Sequence, residues 1–183
     1  MSRPMRADAR RNYDRLLEQA RELFGQDGPD APMEEVARRA GVGIGTLYRH
    51  FPTRQALQEA VYRDQIEILA AEAEELASHP DQGEALVTWL HSTLAHSVAK
   101  RGLNTALVAT LGPESELFAT CREMLYRAAG LLLGRAQEVG AVREDLEVAE
   151  LFKVIHALSV ATERSPELAD RMITLFIEGL GSR

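Results

Sequence analysis

Val36-Ala37-Arg38-Arg39-Ala40-Gly41-Val42-Gly43-Ile44-Gly45-Thr46-Leu47-Tyr48-Arg49-His50-Phe51-Pro52-Thr53-Arg54-Gln55-Ala56-Leu57 is the stretch whose reading decides the fold. Just before and within it, Met33, Val36, Ala37 and Ala40 recur at helical spacing, with Glu34, Glu35, Arg38 and Arg39 on the other side. That pattern predicts a short helix over about 33–40. Gly41 can take the left-handed conformation that ends it. After the three residues Gly41-Val42-Gly43, a second short helix is expected from Ile44 to His50 or Phe51, because Pro52 prevents a smooth continuation. Thr53 is a candidate N-cap for a long helix reaching about Ala77. Two short helices joined by a three-residue, glycine-containing turn have the spacing of a DNA-binding helix-turn-helix.

Working outward, helical periodicity continues in both directions, and strand-like alternation does not appear. Upstream, a helix over about 7–24 carries Tyr13, Leu16, Leu17, Ala20, Leu23 and Phe24 on one face and is expected to stop at Gly25. Downstream, Ser78-His79-Pro80-Asp81-Gln82-Gly83 breaks the chain. Further helices are expected over about 84–100, 102–111, 115–139, 145–163 and 166–180, limited by Gly112-Pro113, Gly140 and Ser165-Pro166. The expected fold is all-α, with about nine helices and no internal repeat. A small N-terminal domain over 1–55 would be joined by the long helix to a helical C-terminal domain over 56–183.

Composition narrows the function classes. The 183 residues are 45% hydrophobic, enough for a real core, and hold one cysteine, Cys121, so no intramolecular disulfide can form. No apolar run approaches the roughly 18 residues of a membrane span, and the first residues lack a signal-peptide core, so a cytoplasmic location is expected. The net charge of -7 is unevenly distributed: residues 1–64 carry 11 basic against 10 acidic side chains, and residues 65–183 carry 10 against 18. An acidic C-terminal part repels nucleic acid, which confines any DNA-binding surface to the N-terminal part. Arg3, Arg6, Arg10 and Arg11 crowd the start, either as a solvated arm or as one touching phosphate or minor groove.

The quoted stretch closely resembles the N-terminal domain of TetR-family regulators, and the resemblance extends from about Arg10 to Val61. It implies a DNA-binding transcriptional regulator, typically a repressor that binds a palindromic operator as a homodimer and is released by a small-molecule effector. Carried over position by position, it implies that Gly45 lets the backbone approach DNA, although a packing glycine is an equal reading. Thr46 and Tyr48 would hydrogen-bond phosphate oxygens. Ile44, Arg49 and His50 are left to reach base edges or flanking phosphates; Arg49 could grip guanine or hold phosphate. Thr53 and Arg54 stand at a helix start that favours an anion, and Arg54, where the family commonly has Lys, is the expected phosphate clamp. The family usually begins the two short helices with Ser or Thr. Here Pro32 and Gly43 stand in those places.

For the C-terminal part the resemblance implies a ligand cavity among the helices. Large side chains would form its walls and isolated polar groups would orient the ligand, with Trp89, Thr93, Phe118, Cys121, Met124 and His156 as candidates. Plain core packing is the alternative for each. The stripe Glu150, Leu151, Val154, Ile155, Leu158 and Ala161, with Leu168, Met172, Leu175, Phe176 and Ile177 on the last helix, fits dimerisation through the last two helices, as in similar proteins. An enzyme is not expected. His91 and His96 are five apart, off a shared helical face, and there is no His-Glu-x-x-His, Cys-x-x-Cys or phosphate-cradling glycine loop; no metal or cofactor is expected. A purely structural helical dimer would leave Gly45-Thr46-Leu47-Tyr48 unexplained.

Overall fold

The computed structural model describes residues 3–162 and 165–179, and among these there are nine helices and no strand. They are α1 Arg3–Gln26, α2 Met33–Arg39, α3 Ile44–His50, α4 Arg54–Leu76, α5 Gln82–Ala99, α6 Arg101–Leu111, α7 Glu116–Glu138, α8 Val148–Ala161 and α9 Pro166–Glu178. The expected helix ends at Glu163 and Leu180 lie outside the described residues. No described helix is long and apolar enough to cross a membrane.

The chain divides into two compact units: residues up to Asp64 with Lys100–Leu117, and Gln65–Ala99 with the chain from Phe118 onward. The segment 100–117 therefore groups with the N-terminal helices, unlike the division at 55 and 56 expected from the motif. Lys100 explains part of this grouping, because its Nζ donates to the Arg21 carbonyl at 3.0 Å. Partial burial beside Arg21 holds its pKa below the usual lysine value, desolvation being the larger cause.

In the first unit, α1, α2 and α3 pack around Leu16, Ala20, Val36 and Leu47, all fully buried. α1 does not stop at Gly25 as expected. It runs to Gln26, and the turn is made at Gly28, whose φ of 86° is the left-handed conformation that glycine tolerates. Arg10 and Arg11 are exposed and pair with Asp14 and Asp8 on the same helix. The arm reading of Arg3 and Arg6 falls on side chains outside the described set.

The second unit is built on Trp89 of α5, fully buried among Ala129, Leu132, Leu151, Ile155 and Ile173. Its indole Nε1 donates to the Leu69 carbonyl of α4 at 2.8 Å, which satisfies the one polar atom of an otherwise apolar side chain. α8 starts at Val148, three residues later than expected. Gln137 Nε2 bonds the carbonyls of Arg143, Glu144 and Leu146 at 3.0–3.1 Å and holds that segment out of the helix, while the Glu150 carboxylate accepts from the Glu147 backbone N–H at 2.9 Å. Leu151, Ile155 and Leu158 of the expected dimer stripe face this unit's own core. Val160, Leu168, Met172 and Leu175 remain exposed.

Candidate nucleic-acid interface

The turn between α2 and α3 is closed by hydrogen bonds that require glycine at its centre. Gly41 has φ 66°, its N–H donates to the Arg38 carbonyl at 3.1 Å, and the next N–H, of Val42, reaches back to Ala37 at 3.0 Å. This is a Schellman closure, and a side chain at Gly41 would strain it. Pro32 and Gly43 make no side-chain caps, and the Gly43 carbonyl accepts from Thr46 and Leu47 at 2.8 and 3.2 Å.

This closure fixes the rotation of α3. Leu47 is fully buried, while Ile44 and Tyr48 are 39% and 43% exposed and Gly45 and Arg49 are also exposed. Thr46 is half-buried. A Cβ added to Gly45 would meet nothing within 4 Å, so nothing inside the chain requires glycine there. The His50 ring is half-buried and packs edge-on to Tyr13 at 5.9 Å, and Tyr13 lies 5.1 Å from Phe51. His50 therefore contributes to holding α3 on α1.

At the start of α4, the Thr53 hydroxyl accepts from the Ala56 N–H at 3.0 Å, the bond of an N-cap. Arg54 turns toward the loop before α2, where its Nη1 donates to the Ala31 carbonyl and lies 3.5 Å from that of Pro29. Gln58 adds a 2.8 Å bond to the Pro29 carbonyl. These contacts were not legible in sequence, since they join residues more than 20 apart across a turn. On α2, Glu35 bonds both Arg38 and Arg39, and the Arg38 hydrogen bonds are the larger cause of a Glu35 pKa lowered to about 2.

In the second unit, Thr93 donates from its hydroxyl to the Trp89 carbonyl at 2.8 Å, and both residues are buried. Phe118 and Cys121, one turn apart on α7, are buried, and Met124 is half-buried. His156 is exposed on α8 and does not join them. Sequence reading missed an aromatic group: Phe152 stacks on Tyr126 at 5.0 Å and meets Trp89 edge-on at 6.3 Å. The i, i+4 pair of Phe152 and His156 on α8 was the available signal, but only the histidine was taken. Among the described residues, no group of three or more His, Cys, Asp or Glu side chains is arranged to hold a metal ion.

Comparison with known proteins settles what carries this geometry. Residues 16–61 match the family described as bacterial regulatory proteins, tetR family, and residues 81–182 match the transcriptional regulator SbtR-like C-terminal domain. The chain belongs to the TetR family of transcriptional regulators. A TetR regulator from Streptomyces coelicolor superposes with a TM-score of 0.82 at 32% identity, covering 92% of this chain and 98% of that one. Another, from Mycobacterium vanbaalenii, gives 0.78 at 38% identity over 98% of this chain and 100% of its own. A helix-turn-helix-type transcriptional regulator of Staphylococcus aureus is 38% identical over 65 residues, which span 35% of either protein. The matched families are regulators that bind DNA, not enzymes.

Proposed function

We propose that this TetR-family regulator is a cytoplasmic repressor that binds a palindromic operator as a homodimer and is released by a small-molecule effector. The observation that carries the reading is the face of α3, where Ile44, Gly45, Tyr48 and Arg49 are exposed around the buried Leu47. A helix held in this way can enter the major groove, Ile44 and Arg49 meeting base edges while Thr46 and Tyr48 hold phosphates. The open space at Gly45 supports close approach of the backbone to DNA. Thr53 and Arg54 complete the phosphate-facing set, and His50 flanks it. Functionally, residues 1–55 read DNA and residues 56–183 bind effector and partner, with Trp89, Thr93, Phe118, Cys121 and Met124 as the candidate effector residues.

The exposed apolar residues of α8 and α9, Val160, Leu168, Met172 and Leu175, support pairing with a second copy. A two-fold dimer then reads inverted half-sites about one helical turn apart or somewhat more. Selection from random DNA tests this. Two-fold symmetric sites are expected, and a set of asymmetric, unrepeated sites would contradict the homodimer. An effector that releases the operator must be bound less tightly in the DNA complex by the same factor, about 5- to 150-fold for ordinary coupling.

A further inference from the structure

Two buried glutamines lie seven residues apart on α4, and they are satisfied differently. Gln58, 8% exposed, donates from Nε2 to the Pro29 carbonyl at 2.8 Å. Gln65, 3% exposed, has a buried Nε2 with no hydrogen-bond partner among the described residues. Gln82 and Ser115 also hold an unpartnered atom, but both are partly exposed residues at helix starts. Gln65 lies in the interior of a long helix, on the line Val61, Gln65, Leu69, Ala73, whose other members are apolar and buried. An apolar residue there would avoid the cost of an unpaired amide, and native interiors rarely keep such a group without a use for it.

Its surroundings define what could pair with it. Trp89 of α5 is bonded to Leu69 of α4; Gln65 precedes Leu69 by one turn on α4, and Thr93 follows Trp89 by one turn on α5. Thr93 is buried and already donates its proton to Trp89, so Gln65 is the donor left over. Ile66 and Leu69 of α4 and Leu90 and Leu94 of α5 are buried and apolar. The residues from 65 onward carry 10 basic against 18 acidic side chains, which disfavours an anionic partner. A neutral oxygen acceptor on an apolar body fits best.

We propose that the Gln65 side-chain amide is the polar anchor of the effector site, and that the effector is a neutral, largely apolar molecule whose carbonyl oxygen accepts from Gln65 Nε2. The proposal rests on the ligand-responsive reading above and deepens it. Trp89 is the only tryptophan of the chain, and its indole is bonded to Leu69, which lies one turn from Gln65 on α4, so its emission serves as the readout.

The test uses the full-length protein with cyclohexanone, acetophenone and butyrophenone, against methylcyclohexane, ethylbenzene and butylbenzene as partners lacking the oxygen. Binding is followed by Trp89 emission and by the shift in melting temperature. The parent should favour the ketones by about fivefold to tenfold, the worth of one buried hydrogen bond, and Gln65→Met should erase that preference. Without ligand, Gln65→Met should melt about 2–4 °C higher, because the unpaired amide is gone. Gln65→Leu serves as a second variant if methionine disturbs folding. A parent that binds none of the ketones, a preference that survives in both variants, or a lower melting temperature in both would overturn the assignment. Operator retention, measured separately on the same samples, tests the regulatory reading, so either reading can fail alone.

Discussion

The N-terminal helices and the Trp89-centred unit treat polar side chains in opposite ways. On α3 Tyr48 and Arg49 are exposed, and the fully buried Leu47 is apolar. In the second unit the informative polar groups, Gln65 and Thr93, are inside, while the exposed side chains of α8 and α9 include Val160, Leu168, Met172 and Leu175. The first arrangement suits a surface that reads a charged, hydrated polymer. The second suits an interior that takes up a small apolar molecule and a surface that meets another protein.

The sharpest way to break the comparison is on α3, where Leu47 is fully buried and Ile44, one turn earlier, is exposed. Leu47→Ala removes a fully buried side chain and should cost about 2–5 kcal/mol of stability, with loss of operator binding. Ile44→Ala should change stability by no more than about 0.5 kcal/mol while altering which operator is preferred. Thermal melts and selection from random DNA measure both. Equal destabilisation by the two variants would mean that α3 is not rotated as described.

In the second unit the corresponding contrast is between two exposed apolar positions. Leu175→Asp on α9, 59% exposed, should weaken self-association by at least about tenfold, because a carboxylate would be desolvated against apolar side chains. Val139→Asp, 63% exposed in the turn after α7, should leave it unchanged. Sedimentation over a concentration series decides. A dimer indifferent to both substitutions would place the partner surface elsewhere.

Sequence made the two regions legible to different depths, for a physical reason. Interactions in the N-terminal unit that span three to five residues could be read directly: the Gly41 closure and the Thr53 cap each depend on a residue type at a fixed offset. Contacts across longer separations could not. Arg54 was read as a phosphate clamp from its place at a helix start, but its bond to the Ala31 carbonyl depends on how the loop before α2 folds back. Leu151, Ile155 and Leu158 show the same limit, since periodicity marks a face as apolar without saying whether it packs against its own chain or another. The Gln65 signal, a polar residue in an apolar i, i+4 line, was present but silent until its burial was known.

Arg54 offers a medium-sized test. Arg54→Ala should lower the slope of log affinity against log salt by about 0.9 if its remaining N–H groups hold phosphate, with a loss shared by all sequences. Arg54→Lys keeps the charge but replaces the planar fork, so the slope should stay near that of the parent while the melting temperature falls through the weakened hold on the Ala31 carbonyl. An unchanged slope in Arg54→Ala would leave only the structural role.

The smallest expected effect lies on α2, where the polar network is local. Glu35 accepts from Arg38 Nε and Nη2 at 2.7 and 2.6 Å and from Arg39 Nε at 2.8 Å, which holds its carboxyl at about 2 against an ordinary 4.5. A depressed folded-state pKa means that the unfolded chain takes up the proton first. The stabilisation is therefore complete above about pH 4.5 and disappears as pH falls through 4.5 toward 2. The group is at the surface, so the gain is small and screened by salt. Carboxyl-carbon NMR should place the Glu35 midpoint near 2 in the parent. Arg38→Ala should raise it further than Arg39→Ala does, because Arg38 makes two of the three hydrogen bonds. Glu35→Gln should melt slightly below the parent at pH 6 and level with it near pH 2. A parent midpoint near 4.5 would mean that both arginines are free to leave the carboxylate in solution, and α2 would then present two available cations beside α3 rather than a neutralised cluster.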